Sequence, residues 1–93
     1  SKEFLYQLLA APGVSGSEQA VQRLVLNRYG PAADTAEADI YGNLILCKNP
    51  GGRRKVLLAG HCDQIGFMAT RINPDGFLLV EAVGGVDPSV LPG

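Results

Sequence analysis

The sequence is poor in histidine, cysteine and tryptophan. Its 93 residues include one histidine, no tryptophan and two cysteines, Cys47 and Cys62, which do not have Cys-x-x-Cys spacing. Two such cysteines do not make a disulfide framework, so we expect a reducing, cytoplasmic location. One histidine also excludes any site in this chain that needs several imidazole ligands.

A strong charge of either sign is absent as well. Eight basic and nine acidic residues are mixed along the chain and give a net charge of −1. Without a basic stripe, we expect binding to neither nucleic acid nor anionic membranes. The apolar runs are too short to span a bilayer, and the N-terminus has no signal-peptide pattern. The composition, 46% hydrophobic and 18% charged, is typical of a globular domain.

Apolar residues at helical spacing predict two helices. The first covers residues 2–10, with four apolar side chains on one face. Residues 15–18, Ser-Gly-Ser-Glu, have the form of a capping box for the second helix, which ends at residues 30–31. Ser15 would accept a hydrogen bond from the first turn, and Glu18 would reach back to the cap. Both helices are amphipathic, so each needs a layer to pack against.

From residue 34 onward the hydrophobic period changes to two. This pattern predicts four strands and two turns. The strands are at residues 34–40, 44–48, 65–72 and 77–81, and the turns are at residues 41–43 and 73–76. An unbroken apolar run at residues 56–59 predicts a fifth strand, buried on both faces, and residues 84–93 are loop-like. The predicted fold class is α/β: two helices followed by a mixed sheet of about five strands.

The most informative segment is residues 60–66, Gly-His-Cys-Asp-Gln-Ile-Gly, which directly follows the predicted buried strand. Open α/β sheets bind ligands at such strand ends. Alternate side chains of an extended chain share a face, so His61 and Asp63 would lie together, with Cα atoms ~7 Å apart. An imidazole binds zinc or cobalt through one nitrogen, and a carboxylate on the other nitrogen fixes the tautomer. We therefore predict His61 as a metal ligand and Asp63 as the carboxylate that orients it.

The same pair has a plainer interpretation. His-x-Asp occurs often by chance, and most such pairs are polar contacts on a surface or in a core. Glu81 could also face His61, although its spacing does not require it. The other acidic residues after the second helix are expected on solvated strand faces, in turns or in loops. These are Asp34, Glu37, Asp39, Asp75 and Asp87.

Four segments, in order and spacing, resemble the start of the tetrahedral (TET) aminopeptidases. That family includes glutamyl and deblocking aminopeptidases and relatives that carry endoglucanase names. The segments are residues 11–16 (APGVSG), 42–45 (GNLI), 61–68 (HCDQIGFM) and 84–88 (GGVDP). The resemblance covers essentially the whole chain, and four motifs in register are far more specific than His-x-Asp alone.

The resemblance implies a cytosolic, self-compartmentalising exopeptidase that removes N-terminal residues from peptides. Such enzymes use two divalent metal ions, usually zinc or cobalt, in a three-layer α/β/α metallopeptidase domain. By similarity, His61 is a ligand of one ion and Asp63 is the catalytic-site carboxylate that orients it. A bridging aspartate, a general-base glutamate, further carboxylates and a second histidine come from later in a longer chain. A β-rich domain that builds dimers and twelve-subunit shells begins just after the segment matching residues 91–93.

Residues 1–93 are thus expected to be the N-terminal segment of a catalytic domain, inactive alone because they hold one metal ligand at most. Gln64 stands where members of the family that the chain resembles commonly have glutamate. The possibility that the chain is a divergent member with altered metal use therefore stays open. Two other functions also stay open. One is a non-catalytic scaffold or assembly element, and the other is a small standalone binding module that would melt cooperatively.

Overall fold

Two helices lie side by side at the start of the chain. The computed structural model describes residues 1–91. Helix α1 spans Lys2–Ala10, as predicted, and helix α2 spans Gln19–Tyr29 and continues into a 3-10 turn at Gly30–Ala32. The Phe4 ring packs edge-on against Tyr29, with ring centroids 5.4 Å apart. This contact ties the first turn of α1 to the last turn of α2.

Two antiparallel β-hairpins follow the helices. The first hairpin joins β1 (Thr35–Ala38) to β2 (Leu44–Cys47), and the second joins β3 (Gly66–Ile72) to β4 (Leu78–Val83). All four strands were predicted to within two residues at each end. The predicted terminal loop contains a short 3-10 turn at Pro88–Val90. Its last two residues, 92–93, lie outside the described residues.

The first hairpin turn is organised by one carboxylate. Asp39 Oδ1 accepts from the backbone N–H groups of Tyr41 and Asn43, each at 2.9 Å, and its Oδ2 accepts from Asn43 Nδ2 at 2.7 Å. These hydrogen bonds lower the pKa of Asp39 from its ordinary value, and those from Asn43 have the largest effect. Gly42 takes the positive φ of +84° that closes the turn, a conformation in which a side chain would be strained.

The predicted fifth strand is wrong for the described residues. Residues 56–59 have no regular secondary structure, and Leu58 is 91% exposed. A strand buried on both faces needs a pairing partner on each side. Each hairpin instead pairs within itself, which gives two separate two-stranded sheets in place of one mixed sheet. Within residues 1–91, the apolar run therefore has no strand to pair with.

The described chain is extended rather than compact. Its radius of gyration is 17.6 Å, whereas a compact domain of this length is expected near 12 Å, about two-thirds of that value. Among residues 1–91, Phe4 and Val21 are the only large hydrophobic residues that are buried, and neither is completely enclosed. No helix in this stretch is long and apolar enough to cross a membrane. The elements are formed locally, without a shared core.

This architecture predicts how the isolated 93-residue chain behaves on heating. We expect a broad thermal transition and binding of the dye ANS, because two buried side chains cannot support cooperative unfolding. Differential scanning calorimetry with ANS fluorescence measures both. A sharp two-state transition with an enthalpy of about 0.7 kcal/mol per residue would contradict this expectation and favour a standalone module.

Candidate metal centre

The predicted pair lies side by side. His61 Nδ1 is 3.0 Å from Asp63 Oδ1, and the His61 side chain is 87% exposed while that of Asp63 is 41% exposed. An ionised carboxylate has no proton to donate, so Nδ1–H must be the donor. In a neutral ring the lone pair is then on Nε2, the nitrogen that can bind a metal ion.

A second hydrogen bond engages the other oxygen of the carboxylate. Ser15 Oγ donates to Asp63 Oδ2 at 2.7 Å, a contact between residues 48 positions apart in the sequence. The pKa of Asp63 is lowered from its ordinary value, mainly by the hydrogen bond from the Ser15 hydroxyl and next by the hydrogen bond from the His61 ring. Both hydrogen bonds favour the charged carboxylate. Asp63 is thus held ionised and fixed at both oxygens.

The predicted capping box is wrong, and the reason is this contact. Glu18, not Ser15, is the N-cap of α2, and no side chain caps the helix. Glu18 Oε1 instead accepts from the Gly16 backbone N–H at 2.6 Å. The Ser15 hydroxyl bonds to a charged acceptor, which makes a stronger hydrogen bond than a neutral cap would. No local pattern identifies Ser15 as a site residue. The only signal is that motif segments 11–16 and 61–68 occur together.

A backbone bridge brings Ser15 to Asp63. The Gln64 N–H donates to the Gly13 carbonyl at 2.6 Å, and the Ser15 N–H donates to the Gln64 carbonyl at 3.2 Å. These bonds flank an isolated parallel bridge between Val14 and Gln64. A Cβ atom at Gly66 would lie 2.5 Å from Val14 Cγ2, closer than real contacts allow. Only glycine at position 66 lets the two segments approach this closely.

The pair borders an open cleft. A space of about 660 Å³ lies between α2, the first hairpin and residues 57–63, and both His61 and Asp63 line it. The pair is therefore not enclosed in apolar packing, and an ion beside the imidazole has room.

The rest of a metal site is not found among residues 1–91. Nowhere in that range do three His, Cys, Asp or Glu side chains converge as ligands. Asp34 binds Lys48 at 2.7 Å, and Asp87 accepts from the Ser89 N–H at 2.9 Å. Glu81 lies on β4 opposite Met68. One imidazole with an orienting carboxylate fits one ligand position of a zinc or cobalt ion, and no more.

Residues 42–93 match the family profile described as M42 glutamyl aminopeptidase. This match covers more than half of the chain. The chain belongs to the M42 family. Its relatives include a lysyl aminopeptidase from Pyrococcus furiosus, which is 38% identical over 90 residues, covering 96% of this chain and 26% of the relative.

Two solved structures have the same fold as this M42 chain over nearly its whole length. A TET aminopeptidase from a marine-sediment thaumarchaeon matches with a TM-score of 0.90 and 31% identity, over 97% of this chain and 25% of that one. A structure named as an endoglucanase, from Thermotoga maritima, matches with a TM-score of 0.86 and 37% identity, over 96% of this chain and 29% of that one. The α/β class and the resemblance to TET aminopeptidases are confirmed. The chain spans about a quarter of the length of these relatives.

The close approach at Gly66 yields a test by double-mutant cycle. Gly66→Ala should lower the free energy of unfolding of the intact protein by about 1–3 kcal/mol, because its Cβ would overlap Val14. Val14→Ala removes the overlapping methyl groups, so the double variant should lose less than the sum of the two single losses. Urea unfolding of the four proteins gives the coupling. Strictly additive losses would mean that the two residues are not in contact.

Proposed function

We propose that this chain is the N-terminal portion of a dinuclear-metal aminopeptidase that hydrolyses N-terminal residues from peptides. Membership of the M42 family supports the reaction class. The observation that carries the proposal is the 3.0 Å contact between His61 Nδ1 and Asp63 Oδ1 beside an open cleft. An imidazole held this way is prepared for ligation, and the arrangement recurs at metal centres that activate water.

His61 would hold one divalent ion, zinc or cobalt, through Nε2. When bound, the pair of ions supplies Lewis acidity toward the peptide carbonyl and lowers the pKa of a water molecule. The remaining ligands and the general base would come from residues beyond this segment, because residues 1–91 contain no group of three ligand side chains. On this proposal the 93-residue segment alone is inactive.

Asp63 orients the ring and does not itself transfer a proton. Its carboxylate accepts from His61 Nδ1–H and from Ser15, and both contacts lower its pKa. A carboxylate held ionised is a persistent acceptor and a poor proton donor. Asp63 therefore keeps the imidazole in one tautomer, with Nε2 as the nitrogen that would bind the ion.

Gln64 acts here through its backbone. Its N–H and carbonyl form the bridge to Gly13 and Ser15, and its side chain is exposed. Glutamine in place of the glutamate common among relatives would therefore leave the Ser15–Asp63 contact in place.

The endoglucanase name of one relative suggests a different chemistry, which this pair does not favour. Glycoside hydrolysis needs a carboxylic acid of raised pKa to protonate the leaving oxygen. The pKa of Asp63 is lowered instead. A non-catalytic scaffold is the remaining rival, and metal binding by the intact protein separates it from the enzyme. Cytoplasmic location, peptide substrates and assembly from dimer to dodecamer stay predictions, as does the lack of nucleic-acid or membrane partners.

Substitution of the pair in the intact protein tests the proposal. His61→Ala should abolish aminopeptidase activity and release metal, because it removes a ligand. Asp63→Asn should weaken metal binding about 10–100-fold, the range for a partner that orients a ligand. Hydrolysis of aminoacyl p-nitroanilides and metal content by mass spectrometry are the measurements.

Asp34→Asn is the matched control, since it removes an exposed carboxylate that, within residues 1–91, pairs only with Lys48 and Asn49. It should keep full activity and metal content. Aminopeptidase activity that survives both His61→Ala and exhaustive chelation would rule the proposal out.

A further inference from the structure

Asp63 needs a second anchor to hold the imidazole in one orientation. The terminal torsion of an aspartate is soft, so a carboxylate with one hydrogen bond can rotate and carry its partner with it. Ser15 Oγ supplies the second bond, at 2.7 Å to Oδ2, while Oδ1 faces His61 Nδ1 at 3.0 Å. With both oxygens engaged, the plane of the carboxylate is set.

The position of Ser15 is itself determined by the fold. The backbone bonds from Gln64 to Gly13 and from Ser15 to Gln64 align the segment before α2 with the segment after His61. Val14 fits against Gly66, where no Cβ is tolerated. Ser15 is half-buried, whereas Ser17, two residues later, is exposed. The Ser15 hydroxyl is therefore aimed at Asp63 by backbone geometry, not by chance contact of a mobile surface side chain.

The competing role for Ser15, helix capping, is not used. Helix α2 begins at Gln19 with Glu18 as its N-cap and no side-chain cap. The Ser15 side chain is instead a donor to a carboxylate 48 positions away. Removing that hydroxyl would free Asp63 Oδ2 without deleting any helix cap.

We propose that Ser15 is a positioning residue of the metal centre, which fixes the Asp63 carboxylate and through it the ligating orientation of His61. This inference rests on the proposed function. It extends the site from one short motif to three side chains that are linked by hydrogen bonds, Ser15, Asp63 and His61. Ser15 would act through Asp63 and not as a ligand itself, so its effect should appear first in metal affinity.

The test compares Ser15→Ala, Ser15→Thr and Ser17→Ala in the intact protein. Zinc and cobalt affinities are measured by competition with a chromophoric chelator, alongside kcat, KM and thermal stability. We expect Ser15→Ala to weaken metal binding about tenfold, the lower end of the range for groups that orient a ligand, with kcat falling at subsaturating metal. Ser15→Thr keeps the hydroxyl and should restore most of the affinity, and Ser17→Ala should match the wild type.

Two outcomes overturn the inference. The first is unchanged metal affinity in Ser15→Ala, even with a lower melting temperature, which would make Ser15 a structural residue only. The second is equal loss in Ser15→Ala and Ser15→Thr, which would assign the effect to packing rather than to the hydroxyl. Both outcomes are interpreted only after the wild-type protein is shown to bind metal in a way that depends on His61. A wild type that binds no metal would instead overturn the proposed function itself.

Discussion

The Asp63 carboxylate is the point at which two distant parts of the chain meet. One oxygen faces His61 Nδ1, and the other accepts from Ser15. Because Ser15 lies 48 positions before Asp63 in the sequence, the carboxylate joins the loop before α2 to the segment before β3. The parallel bridge between Val14 and Gln64 and the missing Cβ of Gly66 make that junction possible. The orientation of the only imidazole in the chain therefore depends on backbone packing as well as on its neighbour.

Local patterns predicted what local forces determine. Helix α1, the four strands and both turns follow from amphipathic period and turn chemistry, and these elements form without distant partners. The placement of His61 beside Asp63 could also be predicted from the local sequence, because alternate side chains of an extended segment share a face. The contact of Ser15 with Asp63 could not be predicted in this way. Its serine sits in a sequence typical of a helix cap, and its true partner is 48 residues away.

The wrong prediction at residues 56–59 has a similar physical origin. The apolar run correctly indicates a segment suited to burial, but burial requires neighbouring strands, and the hairpins of residues 1–91 pair only within themselves. The exposed apolar run is separated from His61 by one residue, so the unpaired segment and the predicted metal ligand adjoin each other. On the proposed function, the same further residues would cover the apolar run and complete the ligand set.

Anomalous diffraction from crystals of the intact protein, collected at the zinc and cobalt edges, would locate a bound ion relative to His61. We expect an anomalous peak about 2.0–2.1 Å from His61 Nε2, with Nδ1 still hydrogen-bonded to Asp63 and Ser15 still hydrogen-bonded to the other carboxylate oxygen. An ion on Nδ1, or a metal centre elsewhere with His61 unligated, would contradict the proposed function.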